Sequence, residues 1–291
     1  MKITLTGSLG NISKPLAQLL ISSGHQVTII SSSADKTQAI EALGAAAAIG
    51  SIDDVNFLTK AFTNADAIYV MCPPNFGTDN YRTYLSAIGE KYAAAIKAAG
   101  VKQVVNLSSI GAHLKEGTGP IKGLHDVEQL FNKLVGVVVK HMRPAYFYIN
   151  LYGNTEMIKH AGILGANYSE STKLVMVHPK DIAAAIAEEI QQPFLANSVR
   201  YVVSDERTVA DVATALGTAV GKPELKWVEF TDEEALGGMI QAGLPEEIAK
   251  NYVEMGIAIK SGVLWEDFNV NRPVFSTIKL EDFAKEFAGN F

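Results

Sequence analysis

The run Lys2-Ile3-Thr4-Leu5-Thr6-Gly7-Ser8-Leu9-Gly10-Asn11-Ile12-Ser13-Lys14-Pro15-Leu16-Ala17-Gln18-Leu19-Leu20 decides the fold. A short apolar strand, Lys2 to Thr6, runs into a glycine turn and out into an amphipathic helix. Glycine at 7 permits the tight turn, and glycine at 10 lets the backbone approach a pyrophosphate. The helix N-terminus adds free N–H groups and a favourable dipole. Pro15 is tolerated in the first helical turn, where the N–H groups have no intrahelical partner anyway. Glycine usually fills the third position of this spacing to allow close helix packing; here it is Ser13, which is also small. Two glycines alone carry little weight, but their place between the first strand and the first helix makes the motif specific. The turn Thr6-Gly7-Ser8-Leu9-Gly10-Asn11-Ile12 is therefore assigned to a dinucleotide.

Working outward, strand-length apolar runs recur at Gln26 to Ile30, Ala45 to Ile49, Ala67 to Met71, Gln103 to Leu107 and Gly136 to Lys140. Helical patterns fill the gaps at Asp35 to Leu43, Val55 to Phe62, Tyr81 to Ala99 and Ile121 to Leu134. Strict alternation requires a parallel sheet with helices on both faces. The expected class is α/β, a Rossmann doubly wound parallel sheet with a smaller, mainly helical C-terminal lobe. Residues 1–150 would form the NAD(P)-binding domain, with 176–205 returning to it through a strand at Val199 to Val203. Residues 151–175 and 206–291 would form the substrate-binding lobe, closing a crevice over the carboxyl ends of the strands. Its helices are expected at Val209 to Val220, Thr231 to Ala242, Pro245 to Ile259 and Leu280 to Phe287, with Pro179 to Gln191 before them.

A net charge of −6 lacks the basic surplus of a protein that binds a phosphate polymer, so no nucleic-acid partner is expected. The single cysteine, Cys72, cannot form an intramolecular disulfide and reads as a small apolar residue near a strand end. The N-terminus leaves no room for a signal-peptide apolar region, and no uninterrupted apolar run is long enough to span a bilayer. A cytoplasmic protein without a membrane partner is the expectation. His25, His113, His141, His160 and His178 show no metal-ligand spacing, so no metal site is expected.

The second strand ends in Ser31-Ser32-Ser33, where NAD-specific proteins place an acid on the ribose 2′-hydroxyl. Three hydroxyls, with Lys36 a turn later, suit a 2′-phosphate. NADP(H) is preferred, while NAD(H) stays open because Asp35 is adjacent and no arginine is nearby.

Six segments carry a family resemblance: TGSLGNIS at 6–13, AIYVMCPPN at 67–75, VVNLSSIGA at 104–112, HDVEQLF at 125–131, RPAYFYIN at 143–150 and VHPKDIAAAI at 177–186. In this order the chain resembles the NmrA-like branch of the atypical short-chain dehydrogenase/reductases, including quinone-reductase-like members. The resemblance implies an extended NADPH, with Gly7, Gly10, Asn11 and Ile12 at the pyrophosphate. Ser31, Ser32 and Ser33 would lie on the adenosine ribose side, and Met71, Pro73 and Asn75 along the ribose and nicotinamide. Ser108 joins the cofactor set, and the position near the adenine after the third strand is Ser51, with Asp53 close by.

Typical short-chain dehydrogenases pair a serine with a tyrosine and a lysine four residues later, which passes a proton to the substrate oxygen. Ser109 can fill the serine position. Aligned on Glu128, the other two fall on Pro120 and Leu124, so that relay is missing. Lys122 and His125 are the candidates nearby, His125 sharing a helix face with Glu128. Phe76, Tyr146 and Phe147 are expected to stack on a substrate, with Tyr148 facing the same crevice. Two readings follow. One is NADPH-dependent reduction of a small planar acceptor such as a quinone by direct hydride transfer. The other is a non-catalytic redox sensor acting through a protein partner. An open apolar crevice favours the first, a filled one the second.

Overall fold

In a computed structural model that describes residues 1–291, the first half alternates without interruption. The order is β1 (Lys2–Leu5), α1 (Ser13–Ser22), β2 (Gln26–Ser31), α2 (Thr37–Ala42), β3 (Ala46–Ile49), α3 (Val55–Phe62), β4 (Ala67–Val70), α4 (Tyr81–Ala99), β5 (Gln103–Leu107), α5 (Lys122–Phe131) and β6 (Val138–Pro144). The second half comprises β7 (Tyr146–Phe147), α6 (Thr155–Ala161), β8 (Ile163–Ala166), β9 (Lys173–Val177), α7 (Pro179–Gln191), β10 (Ser198–Val202), β11 (Asp205–Thr208), α8 (Val209–Ala219), β12 (Lys226–Glu229), α9 (Asp232–Gln241), α10 (Glu246–Ser261), α11 (Glu266–Val270) and α12 (Leu280–Gly289). No helix is long and apolar enough to cross a membrane.

The helices that match the sequence pattern to the residue are those with strong stops. The Asn80 side chain accepts the Thr83 N–H at 2.8 Å, and Gly100 closes α4 at φ 71°. Pro179 opens α7 at its first position. β6 departs from the expected Gly136 to Lys140 and runs on to Pro144. Its polar residues, Lys140, His141 and Arg143, are each buried with a partner. Lys140 Nζ donates to the Glu189 carbonyl at 2.9 Å, and a ring nitrogen of His141 lies 3.1 Å from the Asn106 amide.

Seven strands form one sheet in the order β10-β6-β5-β4-β1-β2-β3, every neighbour parallel. The order reverses between β1 and β4, so the loops leaving those two strands part and open a crevice. Strand residues alternate between two cores: Tyr69 and Val105 face one, Ile68, Val70 and Val104 the other. The larger core joins α1 and α7 to the C-terminal helices; the smaller lies beneath α3, α4 and α5.

The C-terminal half is less helical than its pattern suggests. β11, β9 and β7 form a three-stranded sheet, and β12 pairs with β8. Leu174-Val175-Met176-Val177 is a short continuous apolar run, which periodicity cannot tell from a buried helix segment. Tyr148, expected in the crevice, is fully buried instead and stacks on Phe283 at 5.1 Å.

A buried ion pair ties the halves together. Arg143 donates to both carboxylate oxygens of Glu128, at 3.0 and 2.6 Å, and its remaining nitrogen reaches Asp267 and Tyr201. Removing one partner strands the other charge in the interior, so Arg143→Leu should cost about 3–5 kcal/mol in urea unfolding. Replacing both Arg143 and Glu128 by apolar residues should recover a large part of that loss.

His141 gives the fold a pH dependence. Desolvation lowers its pKa from 6.5, Arg143 adding to the effect and Glu128 opposing it. With the folded value depressed, the unfolded chain binds the proton first as pH falls. Stability is therefore full above 6.5 and declines as pH drops towards the folded value. Desolvation lowers His113 in the same direction. Urea midpoints at about pH 7.5 and about pH 5.5 should differ in the wild type and differ less in His141→Gln, the remainder coming from His113.

Candidate functional site

The turn after β1 is held by its own side chains. Gly7 sits at φ +85°, and a Cβ there would come within 2.4 Å of Ser13 Oγ. That serine hydroxyl donates to the Thr6 carbonyl at 2.8 Å, so the residue standing for the third glycine pins helix to strand. Ser8 adopts φ 53°, fixed by its N–H to the Ile30 carbonyl at 3.2 Å and its hydroxyl to Ser31 Oγ at 2.9 Å. Thr6 Oγ1 accepts the Met71 N–H at 2.9 Å, joining the turn to the loop after β4. The N–H groups of Leu9, Asn11, Ile12 and Ser13 have no acceptor within the protein, and no side chain caps α1. Four free donors at a helix N-terminus, over a glycine that leaves no room for a side chain, fit a diphosphate.

This turn forms one end of a cleft of about 490 Å³ lined by Gly7, Gly10, Asn11, Ile12, Met71, Ser108, Ser109, Phe76, Tyr146 and Phe147, among others. Ser108 donates to Glu128 Oε1 at 2.5 Å, and Ser109 to the Ile110 carbonyl at 2.9 Å. Phe76, on the rim, packs edge-on to Tyr252 at 6.4 Å and lies 6.2 Å from Tyr81. Cys72 also lines the cleft; burial pushes its thiol up to about 12, so it stays protonated.

Other predicted residues lie elsewhere. Pro73 turns its carbonyl to the Tyr84 hydroxyl at 3.0 Å and Asn75 caps its own turn through the Gly77 N–H at 3.1 Å, while Pro74 lines the cleft. Of the three serines, Ser31 is buried and bonded to Ser8; Ser32 and Lys36 are exposed. Asp53 pairs with Lys91 and accepts the Ser51 hydroxyl.

The positions aligned with the missing relay, Pro120 and Leu124, do line the cleft and make that wall apolar. Lys122 and His125 do not reach it. Lys122 pairs with Glu254 on α10, and a ring nitrogen of His125 lies 2.9 Å from the Ala112 carbonyl. The shared helix face of His125 and Glu128 brings no bond between them, because Arg143 and Ser108 take the carboxylate.

Sequence reasoning missed the roof. Tyr252, Met255 and Ile259 reach the cleft from α10, with Leu264 and Trp265 from the turn beyond it. Their helical spacing was legible, but it reads equally as core. The roof is seated closely, for a Cβ on Gly119 would meet the Asn251 carbonyl at 1.9 Å.

Structural comparison returns an NADPH-dependent quinone oxidoreductase from Escherichia coli solved with NADPH, at TM-score 0.83 and 19% identity, covering 98% of this chain and 99% of the other. A triphenylmethane reductase from Citrobacter sp. aligns at TM-score 0.81 and 20% identity over 99% and 100% of the two chains. A nucleoside-diphosphate-sugar epimerase from Staphylococcus aureus aligns at 0.79 and 15% identity over 98% and 100%. A sequence search of curated proteins finds no match. At these identities the neighbours speak to the fold alone, but the NmrA-like family model matches residues 1–262 directly, and the chain belongs to that family.

Proposed function

We propose that this protein binds NADPH and reduces a small planar acceptor. The observation that carries this reading is the continuity of one cleft, with a row of unsatisfied N–H groups at one end and an apolar, aromatic chamber at the other. Its volume falls within the range of small-molecule sites, which supports turnover over a sensor with a filled crevice. Gly7, Gly10, Asn11 and Ile12 would hold the pyrophosphate, Met71 and Ser108 the nicotinamide end, and Ser32 with Lys36 the 2′-phosphate. Bound there, the cofactor supplies a hydride.

The chain's own part is to orient and to keep water out. Phe76, Tyr146 and Phe147 offer flat apolar surface to an aromatic acceptor, and Pro120 and Leu124 remove polar competitors from the wall. An acceptor whose reduced oxygen can take a proton from solvent needs no tyrosine–lysine pair, which accords with the loss of that pair. Residues 1–150 with 176–205 would be the nucleotide-binding unit, and 151–175 with 206–291 the unit that covers the acceptor. The quinone oxidoreductase and triphenylmethane reductase neighbours support the same reading.

Fluorescence titration should give tighter binding of NADPH than of NADH, and quinones should cause loss of reduced-nicotinamide absorbance. Binding without turnover of any acceptor would favour the sensor, and binding of neither nucleotide would overturn the reading. Ser32→Asp should move the NADPH to NADH preference towards NADH by about tenfold or more, since a carboxylate repels the 2′-phosphate and bonds the free hydroxyl. Gly10→Val, whose side chain would crowd the Gly7 carbonyl 3.0 Å from its Cβ, should abolish binding of both.

A further inference from the structure

The side-chain donors of the cleft without a partner in the protein are the exposed amides of Asn11 and Asn150, the Trp265 indole and the hydroxyls of Tyr81, Tyr146 and Tyr252. All three of its serine hydroxyls are committed, Ser13 to the Thr6 carbonyl, Ser108 to Glu128 and Ser109 to the Ile110 carbonyl. The Met71 N–H is held by Thr6. Yet Tyr146, from β7, and Tyr252, from α10, line the same chamber, and neither hydroxyl has a hydrogen-bond partner in the protein. Both sit among apolar walls with their hydroxyls open to the cleft rather than sealed in the interior, so a ligand oxygen can take the place of water on each. Tyr252 is held in place by the Phe76 ring.

Resting on the reductase reading above, we propose that Tyr146 and Tyr252 determine acceptor specificity by donating hydrogen bonds to a ring carbonyl oxygen, so that the cleft selects quinone-type acceptors over flat acceptors without oxygen. No proton leaves either phenol; each bond only polarises the carbonyl. Burial raises the pKa of both, Tyr252 adding to the shift at Tyr146, which keeps them protonated donors.

The test is calorimetric and needs no turnover. The NADP⁺-loaded protein is titrated with a benzoquinone and with a triphenylmethane cation, in the wild type, Tyr146→Phe, Tyr252→Phe and the double variant. Phenylalanine keeps each ring, and NADPH titration of the same samples reports on the fold. Each single variant should weaken quinone binding roughly 3- to 10-fold, the worth of one hydrogen bond, and the double variant should weaken it further. Cation binding should change by less than about 2-fold. Quinone binding unchanged in variants that still bind NADPH would overturn the proposal. Equal weakening for quinone and cation would overturn it too, since the rings would then only shape the chamber, as would a wild type that binds no quinone. Hydroxyl-dependent quinone binding in a protein that never oxidises NADPH would leave the specificity intact and remove the reductase reading alone.

Discussion

A parallel sheet buried on both faces cannot turn its chain around in two residues; each strand must hand over to a helix that carries the chain back. All else here depends on that constraint. It gathers every strand's carboxyl end on one edge of the molecule and, where the order reverses between β1 and β4, leaves two neighbouring loops diverging. Backbone N–H groups at the start of α1 are thereby left facing outward without acceptors, and Met71 is brought beside Thr6. The candidate site is a by-product of how the strands must be connected, improved by the choice of side chains around it.

Those side chains do two jobs. Thr6, Ser8, Ser13 and Ser31 spend their hydroxyls on holding the turn, which lets Ser8, a non-glycine residue, stay at positive φ. Glu128 and Arg143 do the corresponding work beneath the far wall. The carboxylate fixes Ser108 at the cleft floor, while the guanidinium reaches Asp267 behind the roof, so floor and roof share one buried charge pair.

The nucleotide half was readable because its signals are local: an apolar run, a glycine pair, then an amphipathic helix. The cleft's roof was not, because Tyr252 and Trp265 come to the site by tertiary packing and carry no motif that separates a lining residue from a core one. Polar residues misled in both directions. His141 and Arg143 fell beyond the expected end of the sixth strand and are interior strand. Lys122 and His125 looked like chemistry, because proximity in sequence to the aligned relay positions says nothing of which helix face meets the cleft. Short strands such as β9 and β11 escaped because their pairing partners are distant in sequence and two to five residues show no period.

Order of synthesis adds a last consequence. Tyr148 follows the wall residues Tyr146 and Phe147 directly, and its stacking partner, Phe283, lies on α12, as do Phe287, which stacks on Tyr152, and Glu286, which bonds His178. Asp267, the outer partner of Arg143, also comes late in the chain. On the ribosome, β1 to β6 can pair while the acceptor wall still lacks its backing, and that wall becomes rigid only once α12 has emerged. A truncated product, or a nascent chain stalled before α12, would carry a finished nucleotide turn beside an unfinished chamber, with the ring of Tyr148 left open to chaperones and proteases.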